Sequence, residues 1–337
     1  MTEVKKQPSE RLAFDEEGFR MSTPNEIAEY KAKRLKADSI ADLGSGIGVQ
    51  ALNFAKASGR VVAVENNRRR LEECRRNAET MGITNMEFIE GDATDAAVAE
   101  KLGDVEVIHS DPSRMKRGTG WIFDDLSPNP LAISRIYRQE NKSFDVPAFM
   151  QPSLLPEGWE LEYISLQGEL KRLSVYTGGL RKFEKSALSL PSGNRVLYNS
   201  DIQRKVEQAQ RPGKWLYDLD GSILHSGLLP EFLDKNGGLE LLYQDRQKTI
   251  LTGEKFVTDP FIVRSYSVVD SSQSMDGVKK KLIERRASKV VLRYSLDPSR
   301  YYEERRNIER GLEGSATVYI FRFKDRYYLA DKVETQG

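Results

Sequence analysis

A run that ends as a strand, turns on glycines and restarts as a helix constrains this chain more than any other feature. It reads Ile40-Ala41-Asp42-Leu43-Gly44-Ser45-Gly46-Ile47-Gly48-Val49. Glycines let a backbone pass close to a ligand, and a helix start offers N–H groups that no helical carbonyl has claimed. Around this turn the sequence alternates short apolar runs with amphipathic stretches. Ser39 to Leu43, Arg60 to Val64, Met86 to Ile89 and Val105 to His109 have the character of buried strands, and the segments between them that of helices. That βαβαβαβ order specifies a parallel sheet with right-handed crossovers.

Acidic residues fall at the ends of the expected strands. Glu65 comes 23 residues after Asp42, at the end of the second strand, where a carboxylate can accept both hydroxyls of a ribose. Gly91-Asp92-Ala93 follows the third strand and Asp111-Pro112 the fourth. A dinucleotide fold uses the same parts but has a third glycine where Val49 stands here, and its pyrophosphate would be repelled by this row of carboxylates. A zwitterionic sulfonium nucleoside suits them better.

Together these motifs resemble the class I S-adenosylmethionine-dependent methyltransferases. AxDLGSGIG matches their glycine motif, VAVENN the ribose segment, EFIEGDA the adenine segment and HSDPSR the catalytic loop, over about Ser22 to Ser165. The resemblance implies a Rossmann-like α/β sheet of the seven-strand type and S-adenosyl-L-methionine as cofactor. It implies that Asp42, Gly44, Ser45, Gly46 and Gly48 hold the methionine moiety, Glu65 the ribose, Asn66 an adenine face, and Asp92 with Ala93 the adenine amino end. For Asn66 a helix cap is the alternative. Phe19 to Ala28, with Thr23-Pro24 before the first expected helix, is similar to the lead-in of trimethylguanosine-synthase-like RNA methyltransferases, in which this segment borders the cofactor. As a plain N-cap, Thr23 would precede Pro24 at the first helical position, with Glu26 closing a capping box.

Amino-methylating members of the class carry Asp/Asn-Pro-Pro-aromatic after the fourth strand. Here the loop reads Asp111-Pro112-Ser113-Arg114, which keeps the acid and the first proline, loses the stacking ring and adds a guanidinium able to stack on a base or meet a phosphate. The resemblance therefore makes Asp111, Pro112 and Arg114 the candidate catalytic residues. The same tetrapeptide recurs as Asp297-Pro298-Ser299-Arg300, where it reads as a helix cap.

A chain of 337 residues suits two domains. The expected division is a helical lead-in over residues 1–36, the methyltransferase domain over 37–196 and a smaller α+β domain over 197–337. Beyond the fourth strand, a loop runs to about Pro130, then a helix over Leu131 to Arg138 and a strand over Val146 to Met150. Strands at Trp159 to Leu166, Leu173 to Tyr176 and Ser186 to Leu190 complete the sheet. After Leu197 a broken helix precedes strands at Phe261 to Val269, Lys289 to Tyr294 and Thr317 to Phe323. The run from Trp215 to Leu228, WLYDLDGSILHSGL, resembles the start of THUMP-like domains, which implies a structured RNA partner such as tRNA.

The net charge of +1 supplies no global field for nucleic acid, so any basic footprint is local. From Phe261 to Gly337 there are 16 Lys or Arg against 11 Asp or Glu, and Lys279, Lys280, Lys281, Arg285 and Arg286 cluster with Tyr294, Tyr301 and Tyr302 nearby in sequence. A phosphate-binding face and a solvated helix face both fit that pattern. A lone cysteine, Cys74, and two histidines, His109 and His225, exclude a disulfide, a Cys/His metal cluster and radical iron–sulfur chemistry. Cys74 lies on the inward face of a helix with Leu71, Ala78 and Met81, the place of a core residue. With no apolar leader and no run of about 18 apolar residues, a cytoplasmic protein is expected, with no membrane partner. The expected reaction is methyl transfer to an exocyclic guanine amine of RNA. The alternatives are a small-molecule or protein methyltransferase, and a catalytically silent module that binds cofactor and RNA.

Overall fold

The computed structural model describes residues 22–114, 121–203, 205–245 and 248–334. Phe19 to Met21, the rest of the expected lead-in before Ser22, and part of the loop after Arg114 lie outside the described residues. Contacts divide the chain into two compact units, Met1–Leu166 with Leu170–Tyr198, and Gln167–Glu169 with Asn199–Gly337.

The first unit opens with α1 (Asn25–Arg34), β1 (Ser39–Leu43), α2 (Val49–Ala55), β2 (Arg60–Glu65), α3 (Arg68–Thr80), β3 (Met86–Glu90), α4 (Ala96–Leu102) and β4 (Val107–Ser110). Two short strands, β5 (Ser113–Arg114) and β6 (Leu126–Ser127), pair with each other beyond β4. Then come α5 (Pro130–Ile136), β7 (Lys142–Val146), β8 (Glu160–Leu166), β9 (Glu169–Tyr176), β10 (Lys185–Leu190) and β11 (Asn194–Leu197). The sheet order is β11-β10-β8-β9-β7-β4-β1-β2-β3, with β7, β4, β1, β2 and β3 mutually parallel and β9 antiparallel to β7. The α/β class is as expected and β10 lies where a strand is expected, parallel to β8, but the sheet reaches nine strands rather than the seven-strand type, with β11 folding back antiparallel on β10.

The central strands β1 and β2 are largely apolar, as buried parallel strands are: Val61 to Val64 are fully buried, as are Ile40, Ala41 and Leu43. Helix α3 forms because Asn67 caps it, its side chain accepting from the N–H groups of Arg69 and Arg70, and because Leu71, Cys74 and Ala78 line one face at helical spacing. Cys74 is fully buried, and burial pushes its thiol up to about 12, which suits packing and not nucleophilic attack.

Three expectations for this unit are corrected. Helix α1 is not capped by Thr23; Pro24 stands at the N-cap with no side-chain bond, and Glu26 closes no box. The strand expected at Val146 to Met150 lies at Lys142–Val146, where Lys142, Ser143 and Asp145 are buried with partners that hydropathy does not reveal. The loop after β4 contains the β5–β6 pair.

The second unit consists of β12 (Trp215–Leu219), α6 (Gly221–Ser226), α7 (Leu229–Lys235), β13 (Leu239–Gln244), β14 (Thr249–Gly253), β15 (Ile262–Ser272), α8 (Met275–Glu284), β16 (Ala287–Leu292), α9 (Pro298–Glu309), β17 (Ala316–Phe323) and β18 (Arg326–Val333). Its seven strands run in the order β13-β14-β12-β15-β18-β17-β16. The broken helix expected after Leu197 is the pair α6 and α7, interrupted at Gly227 and Leu228, while β12, β13, β14 and β18 are strands that periodicity did not mark. Asp297 caps α9 by accepting from the Ser299 N–H, as expected of the repeated tetrapeptide.

Candidate functional site

The carboxyl ends of β3, β2, β1 and β4 are neighbours, so the sheet brings Asp92, Glu65, Asp42 and Asp111 to one rim. Between β1 and α2 the chain turns on Gly44, Gly46 and Gly48, with φ of 82°, 56° and 91°, values that glycine alone adopts without strain. Gly44 and Ser45 donate to the Val64 carbonyl at 2.8 and 3.0 Å, which fastens the turn to β2. Gly46 N–H donates to Glu65 Oε2 and Asn67 N–H to Glu65 Oε1, both at 2.9 Å. The Glu65 carboxylate is thereby fixed in place, with lone pairs left on each oxygen. At Gly48 an added Cβ would stand 2.4 Å from Cys74 Sγ, so the helix approaches too closely for any side chain there.

Asp42 is 2% exposed, and its Oδ2 has no hydrogen-bond partner. Burial, reinforced by Asp111, Glu65 and Asp145 and opposed by Lys31, pushes its carboxyl up to about 8. The Ser45 hydroxyl is likewise buried and unpartnered. Orphaned acceptors beside a glycine turn are what a cationic, donor-rich ligand would satisfy.

Asn66 is exposed, and the α3 cap falls to its neighbour Asn67 instead. Asp92 is exposed, with one oxygen taken by the N–H and hydroxyl of Thr94, both at 2.7 Å. Ala93 is buried, and its carbonyl accepts from the Tyr137 hydroxyl at 2.9 Å.

At the end of β4, Thr23 Oγ1 donates to Asp111 Oδ2 at 3.1 Å, and Arg172 Nη1 from β9 reaches the same oxygen at 3.1 Å. Arg172 also pairs with Asp145, which in turn accepts from Lys31 at 2.9 Å. Burial raises the Asp145 pKa, but Lys31 and Arg172 outweigh it and hold that carboxyl well below the usual range. Pro112 is buried, Ser113 Oγ donates to the Ser127 carbonyl at 3.0 Å, and Arg114 is exposed. His109 is buried edge-on against Phe54 at 5.2 Å, and burial, aided by Lys31, brings its imidazole down to about 3; it is a neutral core residue.

Lys31, Asp145 and Arg172 escaped the sequence reading because charged side chains in α1, β7 and β9 look solvent-facing. Phe149, 62% exposed just past the carboxyl end of β7, also carried no motif.

Residues 35–146 match the family model described as a methyltransferase domain. Two curated relatives from Mycobacterium tuberculosis strains, each named an uncharacterized S-adenosylmethionine-dependent methyltransferase, are 24% identical over 263 residues, 76% of this chain and 69% of theirs. A crystal structure from Porphyromonas gingivalis W83, of a protein described as a methyltransferase, shares the fold with a TM-score of 0.76 at 16% identity, over 95% of this chain and 83% of that one. The chain carries a class I methyltransferase domain, the class whose methyl donor is S-adenosylmethionine. It is a methyltransferase enzyme with a second, separately organised sheet unit.

Proposed function

We propose that this enzyme transfers a methyl group from S-adenosyl-L-methionine to structured RNA, at an exocyclic guanine amine. The observation that carries the reading is the position of Asp111, fixed at the same rim as the orphaned Asp42 carboxylate and the clamped Glu65. Asp42 and the Gly44–Gly48 turn with Ser45 hold the amino-acid end of the cofactor, Glu65 its ribose, and Asp92, Ala93 and Asn66 the adenine. When bound, the cofactor supplies an electrophilic methyl on a sulfonium. Asp111 accepts a hydrogen bond from the acceptor amine and aligns its lone pair, so that proximity and orientation supply most of the acceleration. Thr23 acts on this loop rather than on the cofactor, through its bond to Asp111. Arg114 and Phe149, both exposed, offer a guanidinium and a ring for stacking a base that the Ser113-Arg114 loop otherwise lacks.

The RNA reading is supported by the likeness of the lead-in to trimethylguanosine-synthase-like enzymes, by that of the Trp215 segment to THUMP-like domains, and by the basic excess of the second unit. On α8 and just past its end, Lys281 pairs with Asp270 and Arg285 with Asp331, whereas Lys279, Lys280 and Arg286 make no ion pair among the described residues. Those three are the cations available to phosphate.

The test is mass analysis of RNA nucleosides from a strain lacking the gene, with the purified enzyme added back to that RNA. One missing methylated guanosine, restored by the wild type and not by Asp111→Asn, is expected. An unchanged nucleoside profile favours a small-molecule or protein acceptor. Binding of cofactor and RNA with no transfer to any acceptor favours the silent module.

A further inference from the structure

Asp111 is not free to choose its orientation. Its Oδ2 accepts from both Thr23 Oγ1 and Arg172 Nη1 at 3.1 Å, while among the described residues no donor reaches Oδ1. Arg172 is itself 6% exposed and tied to Asp145, which also binds Lys31 and Ser174, and Lys31 donates to Ser143 at 2.9 Å and to Ser174 at 3.3 Å. The chain of contacts joins α1, β7 and β9 to the end of β4. It places two buried cations under two carboxylates, and the flanking Asp111 and Asp145 hold the Arg172 guanidinium firmly protonated against the opposing effect of burial.

Such a cluster costs desolvation, and apolar residues of the same volume would stabilise the fold as well or better. What apolar residues could not do is fix the plane of the Asp111 carboxylate with one oxygen occupied and the other facing outward. We propose that Arg172 and Thr23 are positioning residues that dictate which oxygen of Asp111 meets the methyl acceptor. The inference rests on Asp111 lying at the acceptor site. It adds that Arg172, remote in sequence from every methyltransferase motif, acts through Asp111 and through nothing else in the reaction. A carboxylate rotated or displaced by about 1 Å loses alignment with the acceptor, and misplacement of that size costs on the order of 100-fold in rate.

The experiment is a double-mutant cycle on Asp111→Asn and Arg172→Gln, with Thr23→Val and Thr23→Ser beside it. Cofactor affinity by calorimetry and kcat and KM for methyl transfer to RNA are measured on each full-length protein. Arg172→Gln and Thr23→Val are expected to lower kcat by about 10- to 100-fold, with cofactor affinity and RNA KM little changed, and Thr23→Ser to restore turnover. The double variant should be no slower than Asp111→Asn alone, because the second change then has nothing left to act through. Crystals of Arg172→Gln should show the Asp111 carboxylate turned away from its wild-type plane. Multiplicative losses in the double variant, or an unmoved carboxylate, overturn the inference while leaving Asp111 in its role. Full turnover in Asp111→Asn overturns the site reading itself. Should Arg172→Gln fail to fold, Thr23→Val decides, since Thr23 touches Asp111 without belonging to the buried ion pairs; unchanged turnover there overturns the inference.

Discussion

A carboxyl group 2% exposed, with one oxygen unpartnered and three acids around it, holds its proton far above the usual carboxylate range, and Asp42 at about 8 is that case. Folded Asp42 binds the proton more tightly than the unfolded chain does. Its contribution to stability is therefore present at low pH and is lost as pH rises toward 8. A cationic ligand prefers the ionised form, so cofactor binding should expel the proton. Affinity for S-adenosylmethionine should rise between pH 6 and pH 7.5 by up to about tenfold per unit, with proton release visible as buffer-dependent heats in calorimetry. Asp42→Asn should bind more weakly and with a flat pH dependence. A wild-type affinity that does not change with pH would remove Asp42 from the cofactor's surroundings. Phe149→Ala should raise the KM for RNA and leave cofactor affinity alone, the signature of a lost stacking surface worth about 1 to 3 kcal/mol; an unchanged KM would place the base elsewhere.

At the scale of elements, the glycine turn is a packing device as much as a ligand cradle. Gly48 has φ 91° and Cys74 Sγ 2.4 Å from where its Cβ would stand, so Gly48→Ala meets both backbone strain and a collision between the start of α2 and the middle of α3. We expect a loss of roughly 2 to 4 kcal/mol, seen as a lower midpoint for the first unit in calorimetric unfolding. Gly46, with nothing within 4 Å of its Cβ position, should suffer only from its φ of 56°. Helix α1 is fastened differently. Lys31→Ala would leave Asp145 buried without its ion pair from α1 and should destabilise the unit by about 3 to 5 kcal/mol. A midpoint unchanged by Lys31→Ala would mean that Arg172 and Ser174 suffice for Asp145.

For the whole molecule, near-neutral net charge makes the distribution of charge decisive. In the second unit, a cavity of about 480 Å³ is bordered by Asp201, Glu207, Asp234 and Glu240 against Lys205, a lining that repels phosphate. The unpaired cations of α8 lie on a different element. Lys279→Glu with Lys280→Glu should therefore weaken RNA binding and reduce its salt slope by about 2, without altering cofactor affinity. Equal RNA affinity across salt concentrations for variant and wild type would show that α8 is a solvated face.

The parallel order of the central strands, the glycine turn and the acidic strand ends were determined by the sequence alone. Local spacing suffices for these: short apolar runs bounded by turn residues and alternating with amphipathic stretches mark buried parallel strands, and closely spaced glycines after such a run mark the turn. The Asp111-Pro112 position after β4 was legible for the same reason. Everything that depended on a polar or charged side chain finding its partner across 60 or more residues was decided by tertiary structure. Lys31 meets Asp145, Arg172 meets Asp111, and Thr23 is drawn from a cap to the reactive loop. β7 was misplaced because its buried Lys142, Ser143 and Asp145 look solvated to any pattern based on hydropathy. The extra strand β11 and the unmarked strands of the second unit depend on edges and pairings that exist only once the sheet has formed. Periodicity reports which side of an element is dry; it does not report which distant group compensates a buried charge, and here that compensation shapes the site.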